Sequence, residues 1–251
     1  MSHSIEGKRI IVTGAGTGIG RATAELLMAR GASLALWDIN TEPCNELAAS
    51  AGRGQLVSVC NVDVGDAVSV EAAVRQSIEV LGGLDGAFNN AGIGLIAKPI
   101  DQVTEDEFDR IVRINMKGVW LCMKFQISAL RSYGGGAIVN NASVAGLVGL
   151  AMQGPYAGTK HAVIGMTKAA ALEVASENIR INAICPGATH TPILKNLVDA
   201  GVTEEILASM SALKRLANPQ EIAEAACWLL SEQSSFVTGT AMPVDGGWTA
   251  H

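Results

Sequence analysis

Tyr156 and Lys160 stand four residues apart in the run Tyr156-Ala157-Gly158-Thr159-Lys160. If that run is helical, the i, i+4 spacing puts both side chains on one face. A free phenol titrates at about 10 and is a poor base near neutrality. A neighbouring ammonium favours the phenolate and lowers that value. Such a tyrosine can take the proton of an alcohol, or give one to a developing alkoxide. The other tyrosine, Tyr133, has no lysine four residues on, so the choice between the two is not ambiguous. Ser143 follows a strand-like run, and its hydroxyl can hold a substrate oxygen against the phenol. Alone, a helical Tyr/Lys pair or a strand-end serine is an ordinary packing or turn feature. Their company gives them weight.

That company begins near the N-terminus. The apolar run Ile10-Ile11-Val12-Thr13 leads into Gly14-Ala15-Gly16-Thr17-Gly18-Ile19-Gly20, after which a helical pattern starts. Glycines here let the backbone turn sharply and approach a pyrophosphate, and a helix N-terminus offers free N–H groups and positive dipole. The common dinucleotide frame G-x-G-x-x-G fails by one position, because Ile19 stands where a glycine is needed; the spacing is T-G-x-x-x-G-x-G instead. Asp38 ends the second apolar run, about twenty residues beyond the loop, where a carboxylate accepts hydrogen bonds from ribose hydroxyls. It would repel a 2′-phosphate. Thr17 supplies no positive charge to offset that repulsion, although Arg21 is close in sequence. These features favour NAD over NADP.

The elements that must position these groups alternate along the chain. Arg9–Thr13, Ser33–Trp37, Leu56–Cys60, Leu84–Phe88, Gly136–Asn140, Arg180–Ile184 and Ala241–Val244 are short and apolar, as strands buried on both faces should be. Between them the patterns predict helices over Gly18–Arg30, Glu42–Ala51, Asp66–Leu81, Thr104–Arg131, Pro155–Glu177 and Pro219–Ser231. Thr104 precedes three acidic residues, a cap and first turn, and Pro219 suits a first-turn position. The alternation predicts an α/β fold: a single doubly wound domain over residues 1–251, with a parallel sheet and helices on both faces. Residues 187–213 break the rhythm, so extra helices are expected there and a substrate lid over 188–213.

A hydrophobic fraction of 49% with 17% charged residues indicates a well-buried globular chain, and only 4% aromatic residues leave small aliphatics to build the core. The net charge of −6 and the absence of a Lys/Arg cluster argue against nucleic acid. No apolar run is long enough for a membrane span, and the N-terminus lacks a signal peptide's apolar segment, so a cytoplasmic protein is expected. The five cysteines are scattered and form no C-x-x-C pair, which suggests free thiols. The four histidines form no metal motif, and no catalytic metal is expected.

Taken jointly, Thr13-Gly14 through Gly20, Asp63-Val64, Asn89-Asn90-Ala91-Gly92, Asn115, Ser143, Tyr156 with Lys160, Pro186-Gly187 and Asp245-Gly246-Gly247 resemble the short-chain dehydrogenases/reductases over nearly the whole chain. The resemblance implies a seven-stranded sheet of order 3-2-1-4-5-6-7 with the dinucleotide across the strand carboxyl ends. It implies cofactor contacts at Gly14, Thr17, Gly18, Ile19, Gly20, Asp38, Ile39, Asp63, Val64, Asn89, Ala91, Gly92, Tyr156, Lys160, Pro186, Gly187, Thr189 and Thr191. Asp63 and Val64 would meet the adenine, Asn89 would close on the adenosine side, and Pro186, Gly187 and Thr191 would lie by the nicotinamide. Thr189 stands where the family usually carries an aliphatic residue. Asn115 would order a water linking Lys160 to solvent and complete a proton relay. A homotetramer is also implied, built through the Thr104–Arg131 and Pro155–Glu177 helices and a second interface near the last strand.

For the substrate, Ala145, Leu147, Val148, Met152 and Gln153 lie between Ser143 and Tyr156 and are expected to wall the pocket. Gly94, Leu95, Ile96, Ile193, Leu194, Leu197 and Trp248 would add to it. His190 lies in the presumed substrate-side loop, although a solvated loop histidine is the plainer reading; His161, turned about a hundred degrees from Lys160, reads as structural. The apolar lining, without an obvious fixed cation, points to a neutral, hydrophobic or cyclic secondary alcohol or ketone. The stretches Leu121-Cys122-Met123-Lys124-Phe125-Gln126 and Lys160-His161-Ala162-Val163 also resemble family members that oxidise cyclic alcohols and cyclohexadiene diols. Three alternatives stay open: an NADPH-dependent 3-oxoacyl-thioester reductase on the same scaffold, a non-catalytic NAD-binding sensor, and an epimerase or dehydratase using the same tyrosine.

Overall fold

In a computed structural model, which describes residues 5–94, 97–199 and 201–250, seven strands form one parallel sheet of order β3-β2-β1-β4-β5-β6-β7. They are β1 (Arg9–Thr13), β2 (Ser33–Asp38), β3 (Val57–Asn61), β4 (Gly86–Asn89), β5 (Gly136–Asn141), β6 (Ile179–Pro186) and β7 (Ala241–Val244). The order is the one the resemblance implied. Each expected strand is present, β1 and β7 with the expected ends and the other five with ends displaced by one or two residues. The central strands are buried on both faces, which is why they read as continuous apolar runs.

The helices are α1 (Gly18–Ala29), α2 (Glu42–Ala48), α3 (Ala67–Leu81), α4 (Glu105–Val112), α5 (Gly118–Ser132), α6 (Gly154–Val174), α7 (Pro192–Asp199), α8 (Glu204–Ser209) and α9 (Pro219–Leu230). They cover both faces. One core joins Ile10, Val12, Leu34 and Leu36 to Leu27 of α1 and Ile222 of α9. The other joins Ile11, Trp37 and Ile138 to Val74 of α3, Leu121 of α5 and Val163 of α6. Thr104 caps α4 in a reciprocal box with Glu107, and at the start of α9, which opens with Pro219, Glu221 Oε2 accepts from the Asn218 N–H at 2.9 Å.

The expected single helix over Thr104–Arg131 is interrupted. Residues Arg113–Lys117 form one π turn between α4 and α5, and Asn115 sits in it. A π bulge adds a residue to a turn and so shifts the faces on either side of it. The interrupting segment holds the two short helices α7 and α8, as expected from its broken rhythm.

Candidate active site

A cleft of about 510 Å³ opens along the carboxyl ends of the strands, beside the point where the strand order reverses between β1 and β4. Ligands of doubly wound sheets bind at this place. Its floor at one end is the turn from β1 into α1. Thr17, the residue before α1, is extended and makes no side-chain cap, and the first turn carries no acidic residue, so its N–H groups face the cleft uncompensated. The close packing explains the glycines. A Cβ on Gly20 would lie 2.0 Å from the Gly14 carbonyl oxygen and 2.5 Å from Asn90 Nδ2, and one on Gly16 would lie 3.0 Å from Asp38 Oδ2. The glycines therefore let the loop pack closely against Asn90 and Asp38, and its free helix N-terminal N–H groups make it a cradle that fits a pyrophosphate.

Asp38 ends β2 in the cleft wall. Its Oδ2 accepts from Gly16 N at 2.9 Å and its Oδ1 from Asn40 N at 3.0 Å. Arg21 is drawn away from it: its guanidinium donates to Glu25 Oε1 at 2.6 Å and to the Pro43 carbonyl at 2.8 Å. Asp63 lies farther along. Partial burial pushes its carboxyl up, but hydrogen bonds from Arg113 (2.8 Å) and Gly65 N–H outweigh this and hold it below the usual range. Arg110 and Arg113 also line the cleft.

At the other end α6 brings Tyr156 and Lys160 to the cleft wall, one turn apart as their spacing requires, and Ser143 enters from the end of β5. The Lys160 Nζ lies 5.7 Å from the centre of the Tyr156 ring and donates to the Asn141 carbonyl at 2.8 Å. Burial pushes the Lys160 ammonium down to about 8. The expected lowering of the Tyr156 phenol is not found: burial pushes it above its ordinary value, and hydrogen bonding to Ser143 recovers only part of that. Removing a phenolate from water costs more than one serine returns. Ser143 Oγ also accepts from Ala145 N at 3.1 Å, which fixes its rotamer.

Most of the expected cofactor positions line the cleft: Gly14, Thr17, Gly18, Ile19, Asp38, Ile39, Asp63, Val64, Ala91, Gly92, Pro186, Gly187, Thr189 and Thr191. Gly20 lies beneath it, against Gly14. Asn89 does not reach it. Its amide is fully engaged in a buried network, donating to Gln126 Oε1 and Asn140 Oδ1 at 2.9 Å and accepting from Gln126 Nε2 at 2.8 Å. The neighbouring Asn90 lines the cleft instead, because successive residues of a strand face opposite sides. Asn115 is buried by the π turn. It exchanges two 2.8 Å hydrogen bonds with the Ile93 backbone, accepting from its N–H and donating to its carbonyl. Its side chain therefore braces the cleft wall at Ile93.

Of the expected substrate residues, Gln153, Leu194 and Trp248 line the cleft, with Gly94 and Ile193. Ala145, Leu147, Val148, Met152 and His190 do not. Ala145 is wholly buried, Met152 is exposed with φ of 68°, and His190 is exposed on a segment whose alternate residue, Thr189, points inward. Leu95 and Ile96, and the side chain of Leu197, lie outside the described residues. Ile93, Leu150 and Leu207 add apolar surface that the sequence alone did not single out.

The model of a family described as Enoyl-(Acyl carrier protein) reductase matches residues 14–249. Among curated proteins, a 2,5-dichloro-2,5-cyclohexadiene-1,4-diol dehydrogenase of Sphingobium indicum is 47% identical over 249 residues, which are 98% of each chain. The chain belongs to the short-chain dehydrogenase/reductase family. A cyclohexanol dehydrogenase of an Acinetobacter species is 36% identical, over 100% of this chain and 98% of its own. The solved structure of levodione reductase superposes with a TM-score of 0.92 at 38% identity, over 98% of each chain. The protein is thus an oxidoreductase on a Rossmann-type fold that binds a nicotinamide cofactor. Among the described residues no helix is long and apolar enough to cross a membrane.

Proposed function

We propose that the protein interconverts a neutral, cyclic secondary alcohol and its ketone, with NAD(H) preferred over NADP(H). The observation that carries this reading is the convergence of Tyr156, Lys160 and Ser143 on one end of a cleft whose other end is the glycine cradle and Asp38. When bound, the nicotinamide accepts or supplies the hydride. Tyr156 takes the alcohol proton at its phenol oxygen and returns it in the reverse direction. Ser143 holds the substrate oxygen against that phenol. Lys160 supplies positive charge beside the ring, and with Asn115, by analogy with the family, it passes the proton toward solvent. Asp38 accepts from the adenosine ribose hydroxyls, and the engagement of Arg21 by Glu25 and Pro43 leaves a 2′-phosphate without a partner there.

The substrate end is walled by Ile93, Leu150, Ile193, Leu194, Leu207 and Trp248. Such a surface favours a compact apolar ring, and the names of the relatives agree in carrying six-membered cyclic alcohols and diols. Residues 188–213, which hold α7 and α8 over this end, act as a lid. The protein works in the cytoplasm as a homotetramer. Phe108, Met116 and Trp120 stand exposed on α4, the π turn and α5, and Leu172 stands 85% exposed on α6, a set of apolar side chains that a partner would cover.

The deciding experiment measures reduced nicotinamide formed from NAD⁺ with linear and cyclic secondary alcohols, with Tyr156→Phe alongside. Turnover of cyclic alcohols that vanishes in the variant is expected. Bound NAD with no turnover of any alcohol or ketone would leave the sensor reading in its place, and substrate conversion without net NADH would leave the epimerase reading.

A further inference from the structure

Asn141, the last residue of β5, is 9% exposed and lines the cleft between the glycine cradle and Lys160. Three of its polar groups have one fixed arrangement. Its backbone carbonyl accepts from Lys160 Nζ at 2.8 Å. Its Nδ2 donates to Asn90 Oδ1 at 2.9 Å. Asn90 in turn donates from Nδ2 to the Thr13 and Gly14 carbonyls, at 3.1 and 3.2 Å. Those two carbonyls can only accept, so the Asn90 amide cannot be turned over, and neither can that of Asn141. The direction of the chain is set from β1 outward. It leaves Asn141 Oδ1 as a buried acceptor without a partner, the one such side-chain atom among the described residues. A buried acceptor left unpaired is costly, and native structures keep one where a ligand or water completes it.

We propose that Asn141 Oδ1 accepts a hydrogen bond from a hydroxyl of the second ribose of the bound dinucleotide, the ribose that carries the nicotinamide. This rests on the dinucleotide reading of the cleft. The donor must come from the cleft side, because Asn90 and Lys160 occupy the other faces of the residue. Asn141 and Ser143 lie two residues apart at the end of β5, with Lys160 hydrogen-bonded to Asn141 itself, so the acceptor belongs to the catalytic half of the cleft. There a dinucleotide presents two kinds of neutral donor, the ribose hydroxyls and the nicotinamide carboxamide. ADP-ribose has the first without the second, so loss of ADP-ribose affinity assigns the contact to the ribose, and loss confined to NADH would assign it to the carboxamide and overturn the proposal. The adenosine half lies beyond the cradle, at Asp38 and Asp63. On this reading Asn141 joins the pyrophosphate cradle, through Asn90, to the ribose and to Lys160.

The test is equilibrium binding of NADH, ADP-ribose and ADP to the whole protein and to Asn141→Leu, which keeps the shape and removes the amide. NADH and ADP-ribose both contain the second ribose, and ADP lacks it. One neutral hydrogen bond predicts about fivefold weaker binding of NADH and ADP-ribose, with ADP unchanged. Equal weakening of all three ligands would mean a purely structural role for Asn141, and unchanged binding of all three would mean that no ligand group meets Oδ1; either result overturns the proposal. Should the leucine variant not fold, Asn141→Ser makes the same comparison. Failure of the unaltered protein to bind NADH or ADP-ribose would instead overturn the dinucleotide reading itself.

Discussion

Lys160 holds its ammonium 5.7 Å from the centre of the Tyr156 ring while donating to the Asn141 carbonyl at 2.8 Å. Burial keeps the phenol above its ordinary value, and the hydrogen bond with Ser143 offsets only part of that. Tyr156→Phe keeps the ring and its packing and removes only the oxygen. Turnover should fall about 10²- to 10⁴-fold, the range of a lost acid/base group. NADH affinity should change little. Steady-state rates and a binding titration on the same samples check both halves.

The buried ammonium gives a stability signature. Lys160 titrates near 8 in the folded protein, against an ordinary 10.5. Below about 8 the folded chain carries the full burial cost of the charge. Between about 8 and 10.5 the folded chain has lost a proton that the unfolded chain still binds, so this group's contribution to stability rises with pH. Lys160→Met removes the effect. Denaturant unfolding of both proteins should show the wild type gaining on the variant as pH rises through that window. A constant difference from pH 7 to 10 would contradict it.

How much of this was legible in the sequence follows from which patterns are local. The seven strands were readable because short β-branched runs between turn residues leave few alternatives, and the Tyr156/Lys160 face because helical geometry fixes it. The π turn was not readable: one added residue in Arg113–Lys117 leaves the apolar period of the surrounding helices almost unchanged. Its effect on Asn115 is large, since it turns the amide onto the Ile93 backbone. The choice between Asn89 and Asn90 turned on the pleat at the last residue of β4, where an error of one position exchanges core for cleft. The same one-residue alternation separates Thr189, inside, from His190, outside.

The cradle itself can be tested by volume. A methyl on Gly20 would sit 2.0 Å from the Gly14 carbonyl oxygen, a backbone atom that cannot step aside. Gly20→Ala should therefore push the loop from its place. A loss of about 1–3 kcal/mol of stability is expected, as for other overpacking changes, with a larger loss of NADH affinity. Thermal unfolding with and without NADH reads both: a lower midpoint, and a smaller rise on adding ligand.

The oligomer prediction rests on Leu172, Trp120 and Phe108, large apolar side chains left exposed on helices that otherwise pack inward. Leu172→Glu places a charge at the most exposed of the three without touching the sheet. If the α6 face is covered by a partner, size-exclusion chromatography should show the wild type near four chains and the variant smaller. A wild type that elutes as a monomer would refute the assembly.

Cofactor preference turns on Asp38, which does two things at once. Its carboxylate presents negative charge where an adenosine ribose would lie, and its Oδ2 holds Gly16 N–H at 2.9 Å. Removing the charge should therefore relieve the repulsion of a 2′-phosphate and also loosen the loop. Asp38→Asn separates the two, since its amide oxygen can still accept from Gly16. The ratio of NADPH to NADH dissociation constants should shift toward NADPH by at least about tenfold, equivalent to about 1.4 kcal/mol, mostly through tighter NADPH. Asp38→Ala should produce the same shift in ratio with weaker binding of both. Arg21 is already held by Glu25 and Pro43, so neither variant should reach the affinity for NADPH that a free arginine would give. An unaltered protein that already binds NADPH more than tenfold tighter than NADH would show that Asp38 does not face the ribose, and would return the 3-oxoacyl-thioester reductase reading to first place.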